Sequence, residues 1–235
     1  MTGTDALYKA AEYLKDEFES YGLKPFFDGS YFQEFPFMEK LEIGSENILV
    51  TEFREVNSPG GRYSKLKEEF IPLSFTDNLS IECQVVFAGY GISAKELNYD
   101  DYTNIDVKDR IVIVFRNHPD MKSPHSKFEQ YSSLRYKTTT ARDKGAKGII
   151  FVNTSDKTDD PLIELRYDNA AKITGISAIS IKRDLLGYIP LKDLQNKIDS
   201  TLSPDSYLVE PDHLTISIST EIIEVQGKSV NVGAY

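Results

Sequence analysis

Tryptophan is absent from this chain, cysteine occurs once and histidine three times. With Cys83 as the only thiol, no intrachain disulfide can form and no disulfide framework holds the fold. Cys83 lies in a β-like run and reads as a small buried apolar residue, not as a reactive thiol. No run of 18 apolar residues occurs, which excludes a transmembrane helix. Met1 is followed by polar residues and then an amphipathic segment, which is not the pattern of a signal peptide. Positive charge is also scarce: 27 Lys and Arg face 37 Asp and Glu, for a net charge of -10. A nucleic-acid surface would need the reverse balance. The helical His-Glu-x-x-His signature, the Gly-x-Ser-x-Gly elbow and the Walker lysine are missing as well.

What is present is a well-stocked core. Hydrophobic residues make up 40% of the 235 positions, with 13 Phe and 14 Tyr, enough for one large domain or two small ones. Leu7, Ala10, Ala11, Leu14, Phe18 and Tyr21 recur at helical spacing and predict an amphipathic helix over about Asp5 to Tyr21. Thr4 is its expected N-cap and Gly22 its stop. A helix of this kind needs a surface to cover; a stripe left in solvent would mark the chain as a fragment. Pro25, Gly29 and Pro36 punctuate a loop and an edge strand. Glu46–Arg54 predicts another strand, Asn57-Ser58-Pro59-Gly60-Gly61 a turn or flexible loop, and Phe70–Phe75 a short strand region.

The middle of the chain, about Glu68 to Leu191, reads as a compact α/β unit. Gln84–Ala88 and Arg110–Phe115 are apolar β-rich runs, the second continuous enough for a strand buried on both faces. A helix over about Ser133 to Lys144 and a buried strand over Gly148–Asn153 complete a strand, helix, strand crossover. Ile176–Ile181 is a further strand and Leu191–Ile198 a weak helix. His213–Val225 alternates as one half-exposed strand, Gln226-Gly227-Lys228 reads as a hairpin turn, and Ser229–Tyr235 starts another strand.

Several motifs, in order along the chain, resemble those of two-zinc aminopeptidases that carry an inserted protease-associated domain. AAEYLKDEFESYGLKP after Thr2-Gly3-Thr4 resembles the first helix of the peptidase domain, and Tyr31-Phe32-Gln33-Glu34-Phe35 the next strand. Gly89-Tyr90-Gly91-Ile92, Tyr99-Asp100-Asp101-Tyr102 and the run from Ile105 to Pro119 resemble the core of the insert. Thr138–Val152 resembles its helix and following strand, and Ser229-Val230-Asn231-Val232-Gly233 the strand on which the peptidase domain resumes. One departure is Asp109, where the family usually has a turn glycine; aspartate tolerates the left-handed conformation.

The resemblance implies an α/β fold: a protease-associated domain with a mixed β-sheet, β-barrel-like core and flanking helices. Residues 45–212 would form this insert, with 1–44 and 213–235 as edges of an α/β zinc-peptidase domain. It implies a region that shapes substrate access to, or contacts peptide at, the active site of a parent aminopeptidase. The parent would use two zinc ions to activate water. Its partners would be a peptide or protein substrate and the remaining peptidase domain, and its location secreted or periplasmic. In the family the zinc ligands and general base follow the resuming strand. The expectation for this chain is therefore no catalytic residue, no metal ligand and no cofactor of its own, with the substrate-binding residues unknown and the chain inactive alone. The alternative is a stand-alone protein- or peptide-binding module.

Candidate chemistry within the chain has mostly structural readings. His118-Pro119-Asp120 has the spacing of a zinc-ligand pair but sits in a proline-containing loop, so His118 and His125 read as solvated loop residues and His213, beside Asp212, as a surface residue. Asp100 and Asp101 could pair as acid and base or hold calcium, but aspartates before a turn usually cap backbone N–H groups. An independent hydrolase using His118 or Asp100 is the weakest reading. Asp159-Asp160-Pro161 reads as a solvated turn. Tyr90, Tyr99, Tyr102, Tyr131 and Tyr136 read as core and rim packing, with a peptide-binding surface as the alternative.

Overall fold

The computed structural model describes residues 3–55, 58–154, 160–166, 173–208 and 214–235. In chain order the elements are α1 (Asp5–Ser20), β1 (Phe32–Ile43), β2 (Ile48–Glu55), β3 (Ser58–Tyr63), β4 (Phe70–Pro72), β5 (Ser80–Ala88), β6 (Ser93–Ala94) and β7 (Tyr99–Asp100). They continue with β8 (Ile111–Phe115), α2 (Leu134–Asp143), β9 (Gly148–Val152), β10 (Ser177–Ile181), α3 (Leu191–Thr201), β11 (Ser206–Leu208), β12 (Leu214–Ser219) and β13 (Ile222–Val232). The chain divides into two compact units, Ile43–Ile222 and a smaller one of Met1–Glu42 with Ile223–Tyr235.

In the larger unit nine described strands form one mixed sheet, in the order β3-β2-β12-β5-β8-β9-β10-β4 with β11 also pairing β5, and β6 and β7 form a separate antiparallel pair. It curls into a half-barrel. Its centre is parallel: Val85 pairs with Ile111, Ile111 with Gly148, and Gly148 with Ser177. Every residue of β8, β9 and β10 is buried, and the alternation of strand side chains explains how. Ile111, Ile113, Phe115, Ile150, Val152, Ile179 and Ile181 enter one apolar cluster, joined by Leu194 and Ile198 of α3. Val112, Val114, Ile149, Phe151 and Ala178 enter a second, joined by Ala141 of α2. Both faces are thus covered, which is why these runs carry almost no polar residues.

In the smaller unit α1 starts where expected: the Thr4 hydroxyl accepts from Leu7 N at 3.4 Å, and Gly22 follows the helix at φ 74°. Of its apolar stripe only Ala11 is buried, while Leu14 is 44% and Tyr21 72% exposed. β1 and β13 form a two-stranded sheet.

Three expectations are corrected. The single strand over His213–Val225 is two strands, broken at Thr220 and Glu221. The Asn47 side chain fixes the break: its amide donates to Glu221 O at 2.8 Å and its carbonyl accepts from Glu221 N at 2.9 Å. Gln226-Gly227-Lys228 is no turn but the middle of β13. A Cβ on Gly227 would come within 2.9 Å of the Phe37 ring on β1, so this glycine admits a ring, a common use of glycine inside a strand. Ser58–Gly61 is strand, with Glu55 paired to Ser58; Asn57 lies outside the described residues. Pro59 is tolerated because β3 is an edge strand.

Candidate functional site

The carboxyl ends of the parallel strands converge on one polar region. β5 ends in Gly89-Tyr90-Gly91, and only glycine suits its two outer positions. Gly89 has φ 49°, and a Cβ there would lie 2.4 Å from Asp101 Oδ1; Gly91 has φ 68°, and a Cβ would lie 2.9 Å from Val114 Cγ1. Gly89→Ala is expected to lower stability by ~3 kcal/mol, combining left-handed strain with displacement of a buried carboxylate. A urea titration showing a loss below 1 kcal/mol would contradict this.

Asp101 occupies the space left by Gly89. It is 1% exposed. Its Oδ2 accepts from Tyr90 N at 3.1 Å and Ile92 N at 2.9 Å, and its Oδ1 from the Tyr99 hydroxyl at 2.9 Å. Beyond it lies Lys137, a fully buried lysine of α2. Its ammonium donates to Phe115 O at 2.9 Å and to Asn117 O, so it satisfies the last carbonyl of β8 and one in the loop just beyond it. It also sits 5.5 Å from the centroid of the Tyr90 ring.

Burial pushes the Asp101 carboxyl up from its ordinary 3.8 to about 7, opposed by the Ile92 N–H, the Tyr99 hydroxyl, the Lys137 charge and the Tyr90 N–H. Burial likewise pulls Lys137 down from 10.5 to about 7, opposed by Asp101. The signs differ in effect. The folded state holds the Asp101 proton more tightly than the unfolded chain does, so this contribution is full below 3.8 and is lost as pH rises through about 7. For Lys137 the contribution is full above 10.5 and is lost as pH falls through about 7. The two together predict a stability minimum near neutrality. Urea unfolding of wild type minus Asp101→Asn should fall with pH on the acid side, and wild type minus Lys137→Met should rise on the alkaline side. Flat differences would contradict the prediction.

A hydrogen-bonded chain leads outward from this core. The Tyr90 hydroxyl donates to Asp199 Oδ1 at 2.6 Å, and Gln195 Nε2 to Asp199 Oδ2 at 3.4 Å. Arg183 Nη1 donates to Gln195 Oε1 at 3.2 Å and to Asn153 O at 2.7 Å. Next to this chain is a cavity of about 260 Å³ lined by Pro119, Asp120, Met121, Lys122, Thr154, Gln195, Asn196, Asp199 and Ser200. The loop after β8, the end of β9 and α3 supply its walls, a usual place for ligands in α/β sheets.

Several residues singled out in the sequence lie elsewhere or do other work. His118 is not solvated: it is 3% exposed, with Nε2 2.9 Å from Glu129 Oε2. His125 is exposed beside a second cavity with Leu97, Phe128 and Leu202. His213 lies outside the described residues. Asp100 accepts from Tyr102 N at 3.0 Å and pairs with Lys144 at 3.3 Å, so it and Asp101 diverge into separate structural roles. Asp160 is half-buried and not a solvated turn residue; its Oδ2 accepts from Arg183 N at 2.6 Å. Asp159 is outside the described residues. Tyr90, Tyr99, Tyr102 and Tyr131 are all buried, which removes the peptide-surface alternative for these four; Tyr136 is half-buried and donates to Ser93 O at 2.7 Å. Cys83 is half-buried on β5, where burial raises its thiol above the ordinary range.

Lys137, Gln195 and Asp199 were not singled out in the sequence. Lys137 had a signal: it stands three residues after Leu134 and four before Ala141, on the apolar face of α2. Gln195 likewise follows Leu191 and Leu194 on the inner face of α3. Asp199 had none.

Residues 80–186 match the family model of the PA domain. Among solved structures, an aminopeptidase from Aneurinibacillus sp. strain AM-1 aligns over 100% of this chain and 43% of its own, at 18% identity and TM-score 0.50. A zinc aminopeptidase from Bacillus subtilis aligns over 98% and 41%, at 14% identity and TM-score 0.43. A peptidase M28 precursor from Shewanella amazonensis SB2B aligns over 98% and 45%, at 17% identity and TM-score 0.37. The chain therefore spans less than half the length of each of these structures. No curated protein matches the sequence.

Proposed function

We propose that this chain, which carries a PA domain over residues 80–186, is the protease-associated region of a peptidase of the aminopeptidase type. Residues 45–212 are the inserted domain, and 1–44 and 213–235 are edges of the peptidase domain. The family match is the observation that carries this reading; the fold shared with the Aneurinibacillus aminopeptidase supports it. In the parent enzyme the insert shapes access of a peptide or protein substrate to the active site or contacts that substrate. The parent works outside the cytoplasm.

The parent uses two zinc ions. The described residues do not fit such a centre: no three His, Cys, Asp or Glu side chains among them converge, and His118 is engaged by Glu129. No catalytic step is assigned to the described residues. The 235-residue chain is expected to give no turnover of aminoacyl p-nitroanilides and to retain less than one zinc per chain after purification. Chelator-sensitive turnover would overturn the reading.

A stand-alone binding module is the second reading. It is favoured by the cavity at the carboxyl edge, whose lining residues all belong to the Ile43–Ile222 unit.

A further inference from the structure

We propose that residues 120–127 form a lid, tied to the domain at its two ends and free to swing onto the two cavities at the carboxyl edge of the parallel strands. All of its parts belong to the Ile43–Ile222 unit, so the proposal holds whether or not a peptidase is attached.

Both ends are fixed. At the start, the Lys137 ammonium donates to Phe115 O at 2.9 Å and to Asn117 O, and Asn117 turns the chain with φ 61°. His118 and Pro119 follow, both buried. At the far end Phe128 is 8% exposed, with its ring edge-on to Tyr99 at 5.0 Å. His118 and Glu129 close the base, with Nε2 2.9 Å from Oε2. Between these anchors nothing is buried: each of residues 120–127 is exposed or half-exposed. Their hydrogen bonds are local, such as Ser123 N to Asp120 O and Glu129 N to Ser126 O, both at 3.2 Å. Among the described residues, no hydrogen bond or ion pair joins this strap to the sheet or to α3. Few buried contacts and few backbone bonds mark the part of a fold that opens most easily.

The strap also stands off the domain. One cavity, of about 260 Å³, lies between Met121 and Lys122 on the strap and Thr154 and Ser200 on the body. A second, of about 380 Å³, lies between His125 and Lys127 on the strap and Leu97 and Leu202 on the body. Asp120 lines both, so the strap has open space on either side of it. Closure has apolar surface to bury: Met121 is 49% exposed and Leu202, just past the end of α3, 43%. Leu202 adopts the left-handed conformation at φ 49°, where glycine is the usual residue after a helix. A leucine there is strained, and closure of the strap supplies the apolar cover that offsets the strain.

The test is ¹⁵N relaxation dispersion on the 235-residue chain. Exchange on the microsecond-to-millisecond scale is expected at the amides of Met121, Lys122, His125 and Lys127 together with those of Thr154 and Leu202, at one shared rate. The anchors Asn117, His118 and Phe128, and Ile113 and Ile150 in the sheet, should stay quiet. Met121→Ser should lower the closed population about threefold, because it removes apolar surface that closure buries. Glu129→Ala releases the base, so exchange should spread to Asn117 and His118, and Lys137→Met should bring it to Asn117. Should Lys137→Met lose its folded spectrum, Met121→Ser and Glu129→Ala decide the question. Exchange confined to the strap, without Thr154 and Leu202, would show a loop that does not close and would overturn the proposal. A silent strap, a closed population untouched by Met121→Ser, or anchors that stay quiet in Glu129→Ala would overturn it as well.

Discussion

Replacing Asp101 with alanine is expected to cost ~4 kcal/mol of folding stability. Three donors lose their acceptor at once: the Tyr90 and Ile92 N–H groups and the Tyr99 hydroxyl. All three residues are essentially inaccessible, at 0%, 0% and 1% exposure, so water cannot replace the carboxylate without opening the loop. Lys137 loses the negative charge that favours its ammonium form. A domain is stable by only ~5–15 kcal/mol, so this loss removes a large share. The check is a urea titration followed by circular dichroism and tyrosine fluorescence. Asp101→Asn keeps one oxygen acceptor and should cost clearly less than the alanine variant. Equal costs for the two would show that the hydrogen bonds do not matter and that side-chain volume does.

A loss of similar size, ~4 kcal/mol, is expected for Phe115→Ala. Phe115 ends β8 and is fully buried. Its ring makes an edge contact with Phe87 at 5.0 Å and a tilted one with Tyr90 at 5.3 Å, and Arg183 lies over it at 5.2 Å. Truncation therefore empties the centre of the larger apolar cluster and removes the surface against which Tyr90 and Arg183 are set. Those two residues hold Asp199 and Gln195 by hydrogen bonds, so the carboxyl edge of the sheet should loosen as well as the core. Phe115→Leu retains most of the volume but not the ring, and should lose clearly less stability than the alanine variant. Equal losses in the two variants would show that the ring contacts, not the volume, carry the stability.

The central strands were legible because burial on both faces leaves a plain signature. Ile111–Phe115 and Gly148–Val152 can be nothing else once a helix pattern lies between them. α1 was legible from helical spacing, with Thr4 and Gly22 marking its ends, and α2 from the segment between two buried strands. The strand break at Thr220 was not legible. It depends on Asn47, more than 170 residues away, whose amide closes on the backbone of Glu221. Gly227 misled for a related reason: a glycine reads locally as a turn, and only the Phe37 ring on the neighbouring strand shows that it serves packing.

The site divides along the same line. Gly89-Tyr90-Gly91 and Tyr99-Asp100-Asp101-Tyr102 stood out as motifs, yet their sequence cannot say that Asp101 fills the space denied to a Gly89 side chain while Asp100 turns to Lys144. His118 read as a loop histidine because its neighbours are polar and proline-rich, whereas the structure buries it against Glu129.

By itself, the sequence determined the composition-level facts and the central architecture: an acidic chain that needs no disulfide, strands buried on both faces, a crossover helix, and the ordered motifs of a PA domain. Each of these is a local pattern, fixed by side-chain periodicity over ten or twenty residues. Tertiary structure alone decided where polar groups meet. Tyr90, Asp199, Gln195 and Arg183 come from segments up to 109 residues apart and are joined only when parallel strands end side by side. A buried hydrogen bond leaves no periodic trace in the chain, because its cost and its compensation both arise only after water has been removed.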